Sequence, residues 1–185
     1  ISFPSDISLG VAKAIFILLE KHVDEVEDFK PKIPLLGAAY VEGTKRYEED
    51  ESIQERVKEI AENLFNNTPS PELDVFNVCK TFNMDYFKLI TFNLGSKFDD
   101  FIFESEAGVD GKKIVLENIP KVFTESEGAV VYIPSEERND INTAVFINSQ
   151  GNPTYEAKDV GLIDLKFKKY NPDISIFITD HEQTS

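Results

Sequence analysis

Through the first half of the chain apolar residues recur at intervals of three and four, the spacing that lines one face of a helix. Leu9, Ala12, Ile15, Phe16 and Leu19 make one such stripe, and Ser8 stands where an N-cap belongs, which predicts a helix over 9–21. The acidic stretch 23–30 and then Pro31 and Pro34 interrupt the pattern and predict an element boundary. It resumes near Leu35. Segments 37–47 and 51–65 carry Ala39 and Val41, then Ile53, Val57, Ile60 and Leu64, with Glu and Lys between them, and predict two antiparallel helices. A turn at Asn66-Asn67-Thr68-Pro69-Ser70-Pro71 leads into 72–94, with Leu73, Phe76, Phe82, Tyr86, Leu89 and Ile90 at helical spacing and Gly95 as the stop.

Beyond Gly95 the period changes. The run 98–103 reads as a short strand, 112–121 as a helix, and 128–133 with 143–147 as two strands of a hairpin joined by the polar loop 134–142. Thr154 is placed to cap a helix reaching about Tyr170, and Ile174-Ser175-Ile176-Phe177-Ile178 reads as a buried strand. Alternating strand and helix predict an α/β fold interrupted by insertions.

Composition narrows the function. With 185 residues, 41% hydrophobic and 29% charged, the chain has enough material for one large domain, or one domain with an insertion. The single Cys79 cannot form an internal disulfide, and His22 and His181 are the only histidines, so a structural zinc site is excluded and no metal ligands are assigned. A net charge of −15 repels phosphate backbones and anionic lipid surfaces, which disfavours nucleic-acid or membrane binding by this chain alone. The longest apolar stretch, 11–19, contains Lys13 and is too short to span a bilayer, so a soluble protein is expected. The chain opens Ile1-Ser2-Phe3-Pro4 without Met and stops soon after a strand-like run, which predicts a piece of something longer.

The most informative segment is Gly151-Asn152-Pro153-Thr154-Tyr155-Glu156-Ala157-Lys158-Asp159. Tyr155 and Asp159 lie four apart on the expected helix and so project from one face, a phenol followed one turn later by a carboxylate. A carboxylate recognises guanidinium by charge and paired hydrogen bonds, and a tyrosine can stack on the planar cation or hydrogen-bond to the ligand. Singly, either residue reads more simply as a packing or solvated residue; the nine-position pattern favours function.

That pattern resembles the Gly-x-Pro-Thr-Tyr-x-x-(Arg/Lys)-Asp motif of the arginyl-tRNA synthetases, which are class I aminoacyl-tRNA synthetases. Lys97-Phe98-Asp99 with Glu104-Ser105, the hairpin segment Glu127-Gly128-Ala129-Val130-Val131, Glu182-Gln183, and Pro4-Ser5-Asp6-Ile7 before the first helix are similar to further family segments. The resemblance implies an α/β fold: part of a Rossmann-like class I synthetase catalytic domain with a helical insertion and a β-hairpin. It implies that Tyr155, Asp159 and Gln183 line the arginine site, with Asp6 as a further candidate, although this chain has Ser5-Asp6 where the family has Gly-Asp. It divides the chain into part of the first half of the nucleotide-binding fold (1–30), a helical connective insertion (31–96), a strand, helix and hairpin of the insertion region (97–152) and a helix and strand of the second half (153–185).

The implied parent is a cytoplasmic ligase of protein synthesis that activates L-arginine with ATP, using Mg2+, and transfers it to tRNA(Arg). Two family motifs that stabilise the developing phosphate charge are missing from the sequence. No His-x-Gly-His can be built from His22 and His181, and the only lysines after Asp159 are Lys166, Lys168 and Lys169, which fall within the expected helix rather than in a Lys-Met-Ser-Lys-like loop. The expectation is therefore a central fragment of the catalytic domain, inactive alone, with no tightly bound cofactor. The rival expectation is a synthetase-like arginine-binding or protein-interaction module without catalysis.

Overall fold

The structure, a computed structural model, describes residues 1–21, 28–135 and 142–179. Two compact units divide the chain, Ile1–Phe101 and Ile102–Ser185.

The first unit is built on helices α1 (Leu9–Lys21), α2 (Ile33–Glu49), α3 (Glu51–Phe65) and α4 (Pro71–Asn93). α1 packs against the other three, so it buries more than one stripe: Ala12, Ile15, Ile17 and Leu18 are in the core, while Leu9 is exposed. Ala39 of α2, the four α3 residues Ile53, Val57, Ile60 and Leu64, and Leu73, Val75, Phe76 and Cys79 of α4 complete that core. Capping fixes where the helices start. The Ser8 hydroxyl accepts from the Val11 N–H at 3.2 Å, Asp50 from Ser52 at 2.8 Å and Ser70 from Leu73 at 3.3 Å. Pro34 does not delay α2 but sits in its first turn, where its missing N–H costs nothing. Gly95, at φ +76°, closes α4, with the Ser96 N–H donating to the Thr91 carbonyl at 2.9 Å.

The expected helix over 72–94 is present as α4, and the one expectation for this unit that needs correction is the strand at 98–103. The second half of α4 leaves the core, for Tyr86, Leu89 and Ile90 are exposed; helical spacing marks a face but not the presence of something to cover it. Segment 98–103 is not a strand. Only an isolated bridge joins Phe101 to Ser2, and Phe87, Phe98 and Phe101 form a ring cluster at 6.0–6.2 Å, so the aromatic run packs side chain on side chain rather than in a ladder.

The second unit contains α5 (Glu104–Glu117), β1 (Thr124–Ser126), β2 (Ala129–Tyr132), β3 (Ala144–Ile147) and α6 (Tyr155–Tyr170). The strands form one antiparallel sheet in the order β1-β2-β3, with Thr124 opposite Val131, Tyr132 opposite Ala144, and a bulge at Val130/Val131. The expected hairpin is thus present as β2 and β3. β1 has no apolar pattern, its three side chains being exposed, and it exists because Glu127 and Gly128, at φ +50° and +80°, make a tight turn onto β2. Val115, Phe123, Val130, Ile147 and Ala157 form the core, with the Phe123 and Phe146 rings 4.8 Å apart.

α5 begins eight residues earlier than the expected helix at 112 and ends before Pro120. Gly108 and Gly111 argue against helix locally, yet Gly111 lets α6 approach: a Cβ there would lie 1.8 Å from the Ala157 carbonyl oxygen, and one on Gly161 would lie 1.9 Å from that of Ala107. The run 174–178 is also corrected. It is not a strand, and Ile178 is 95% exposed, because no strand among the described residues pairs with it. No helix among the described residues is long and apolar enough to cross a membrane.

Candidate functional site

The motif 151–159 is a strand-to-helix connection held by its own backbone. Asn148 organises it: its side-chain oxygen accepts from the Gln150 and Asn152 N–H groups at 3.0 and 2.9 Å, and its carbonyl accepts from the Gly151 N–H at 2.9 Å. Gly151 stands at φ +79°, the left-handed conformation that favours glycine. Pro153 bridges to Ile147, and the Thr154 N–H donates to the Phe146 carbonyl at 3.0 Å. Thr154 stands at the N-cap position, but its hydroxyl turns back to β3 and donates to the Val145 carbonyl at 2.6 Å instead of capping α6. The Gly, Pro and Thr of the motif therefore fix the angle at which α6 leaves the sheet.

Tyr155 opens α6 and is 69% exposed; Asp159 lies one turn later and is also exposed. Between them Lys158 turns inward. Its ammonium donates to the Glu104 carboxylate at 2.7 Å and lies 5.2 Å from the centroid of the Tyr155 ring. The two charged side chains are only 16% and 8% exposed, which makes this a desolvated pair joining the starts of α5 and α6. Partial desolvation, followed by the negative charges of Glu104 and Glu156, raises the Asp159 carboxyl above the usual aspartate range. The result is an exposed phenol and an exposed carboxylate on one face, backed by a buried carboxylate and its ammonium partner. This face can accept a cation.

Tyr155 and Asp159 are thus brought together. Asp6 belongs to the first unit, where Lys80 donates to its buried carboxylate at 2.6 Å. The pair lies at a largely apolar cavity of about 480 Å³ lined by Val11, Ile15, Phe76, Met84 and Phe87. Ser8, not Asp6, caps α1. Gln183, like His22 and His181, lies outside the described residues. Glu104 is the residue that sequence reasoning left out of the site. Its signal was present in the Glu104-Ser105 match, but pairing with Lys158, 54 positions away, is a tertiary fact.

The fold has counterparts among solved structures. The structure superposes on arginyl-tRNA synthetase from Plasmodium falciparum with a TM-score of 0.69 at 21% identity, covering 96% of this chain and 29% of that one. For the Thermus thermophilus arginyl-tRNA synthetase the values are 0.50 and 22%, over 90% of this chain and 28% of that one. The family model for class I tRNA synthetases (R), catalytic domain, matches residues 13–185, and the chain belongs to that family. Among curated relatives, the arginine–tRNA ligases of Borreliella afzelii and Borrelia garinii subsp. bavariensis are 25% and 27% identical over 162 and 165 residues. The chain spans about 28% of the length of those relatives, and 84% of it is matched.

Proposed function

We propose that this chain forms the amino-acid side of an arginine–tRNA ligase catalytic domain and that the α6 face receives the guanidinium of L-arginine. The observation that carries this reading is the Tyr155/Asp159 face backed by Glu104. Asp159 supplies charge and an in-plane acceptor to the guanidinium, and Tyr155 supplies a ring or a hydroxyl. Gln183 is a further arginine contact in this reading, and the divisions 1–30, 31–96, 97–152 and 153–185 are the corresponding parts of the catalytic domain and its insertion. The parent enzyme uses ATP and tRNA(Arg) and works in the cytoplasm.

The chain itself contributes binding and orientation, not activation. Its sequence has neither the His-x-Gly-His nor the Lys-Met-Ser-Lys-like element that would meet the α-phosphate, so the 185-residue chain is expected to give no arginine-dependent ATP–pyrophosphate exchange and to retain little tRNA at physiological salt. No three His, Cys, Asp or Glu side chains converge as a metal site among the described residues, so no step is assigned to Mg2+. The test is an NMR titration of the chain with L-arginine and with L-citrulline, its neutral near-isostere. Arginine should shift Tyr155 and Asp159 resonances while citrulline leaves them in place; equal responses to both ligands would remove the guanidinium from the account.

A further inference from the structure

The first unit holds a cavity that the arginine reading leaves unused. Its volume is about 480 Å³, within the ~300–1,000 Å³ of small-molecule sites, and every residue lining it belongs to that unit. Val11 and Ala14 of α1 form one wall, and a stripe of α4 at helical spacing, Phe76, Lys80, Met84 and Phe87, forms another. By pattern alone a lysine is out of place in the middle of that stripe. The fold supplies its reason: the Lys80 ammonium donates to the Asp6 carboxylate at 2.6 Å, with the two side chains 27% and 3% exposed, and lies 5.8 Å from the centroid of the Phe76 ring. The two charges cancel. The cavity thus combines an apolar and partly aromatic body with a sheltered, neutral pair on its wall, a carboxylate acceptor beside an ammonium donor.

We propose that this cavity is a second ligand site, built by the first unit alone, and that it takes an uncharged molecule with an aromatic body and a carboxamide head. A carboxamide carries an acceptor and a donor on one carbon, so its carbonyl accepts from Lys80 while its amide N–H donates to Asp6, and no charge is added. A carboxylate head would meet Lys80 but crowd Asp6, and an ammonium head would do the reverse. Either brings a net charge into a sheltered place, where an unmatched ion is costly. A wholly apolar ligand would fill the body and strip water from the pair without replacing its hydrogen bonds. The body of the cavity suits an aromatic ligand, because Phe76 and Phe87 offer ring faces and edges and the Met84 thioether packs favourably on rings. None of this draws on the arginine reading, which concerns α6.

The experiment titrates the full 185-residue chain with benzamide, benzoate, benzylammonium and toluene, read from the backbone amide resonances of α1 and α4 by NMR. Benzamide should shift those resonances and bind about tenfold more tightly than benzoate, benzylammonium or toluene. Ala14→Phe, which puts a ring into the cavity, should abolish the response. Asp6→Leu combined with Lys80→Met removes both charges together, so neither is left buried alone; it should weaken benzamide about tenfold while toluene binds no worse. Toluene or either charged probe binding the wild type as tightly as benzamide would make the ion pair a mere strut between α4 and the segment before α1, and would overturn the proposal. So would a wild-type chain whose α1 and α4 resonances do not respond to benzamide, or a response that survives Ala14→Phe. The wild-type series alone decides the matter if a variant fails to fold. L-arginine is read at α6 and benzamide at α1 and α4, so failure of one reading is distinguishable from failure of the other.

Discussion

Replacing Gly161 by Ala and, separately, Gly37 by Ala makes one chemical change in two helices with opposite expected signs. In an open helix the change is favourable by about 0.5–1 kcal/mol, because glycine loses more backbone entropy on folding. Gly37 of α2 is such a site, for an added Cβ would meet nothing within 4 Å. At Gly161 the Cβ would stand 1.9 Å from the Ala107 carbonyl oxygen and 2.7 Å from the Gly111 nitrogen, backbone atoms that cannot rotate away. Ordinary contact begins near 3.4 Å, so α5 and α6 must part by about 1.5 Å along that line. Overpacking of this kind costs about 1–3 kcal/mol, and the helix-propensity gain offsets only part of it, leaving a net loss of about 1–2 kcal/mol. For a unit of this size each kcal/mol moves the midpoint by about 4–8 °C. Because the chain has two compact units, the melts should be read residue by residue from NMR peak intensities and not as one transition. Gly161→Ala should lower the midpoint of the second unit by roughly 5–15 °C, and Gly37→Ala should raise that of the first by a few degrees. A Gly161→Ala protein as stable as Gly37→Ala would refute the close crossing of α5 and α6.

Acid should weaken the first unit in part through Glu72. Burial alone would raise its carboxyl, but its own backbone N–H, the Ser70 hydroxyl and Arg56 together hold it below the ordinary value of 4.5. A depressed folded value gives stability that is present above 4.5 and lost as pH falls through the lower folded value, so Glu72→Gln should flatten the stability profile in that window, as read from urea midpoints. Cys79 should be inert toward a thiol reagent in the native protein and react once urea unfolds the chain, since burial pushes its thiol up to about 11. Reaction of the native protein at the unfolded rate would place Cys79 outside the core.

How much of this was legible in the sequence differs from element to element. α3 could be read almost to the residue, because Ile53, Val57, Ile60 and Leu64 make a complete stripe and the acid before them is its cap. α5 could not, since Gly108 and Gly111 lower helix propensity and their value lies in a neighbour 50 residues away that only the folded chain brings close. The run 174–178 has the alternation of a strand but no partner among the described residues, and periodicity says nothing about partners. The site was legible where chemistry is local. Tyr155 and Asp159 follow from a four-residue spacing, and the turn before them from Gly151 and Pro153. Glu104 and the inward path of Lys158 depend on the crossing of two helices, which a one-dimensional pattern does not encode.

The most direct measurement of the central claim is the L-arginine dissociation constant of Asp159→Asn against that of the wild-type chain near neutral pH. The substitution keeps the shape of the side chain and removes its charge. A hydrogen bond to a charged group contributes about 1.5–3 kcal/mol when sheltered, and exposure at Asp159 reduces this toward about 1 kcal/mol, so affinity should fall roughly 5- to 150-fold. The same protein should be no less stable than the wild type, because Asn relieves the repulsion from Glu104 and Glu156. An Asp159→Asn chain that binds arginine as the wild type does would make Asp159 a solvated helix residue and would contradict the assignment of this face to the guanidinium.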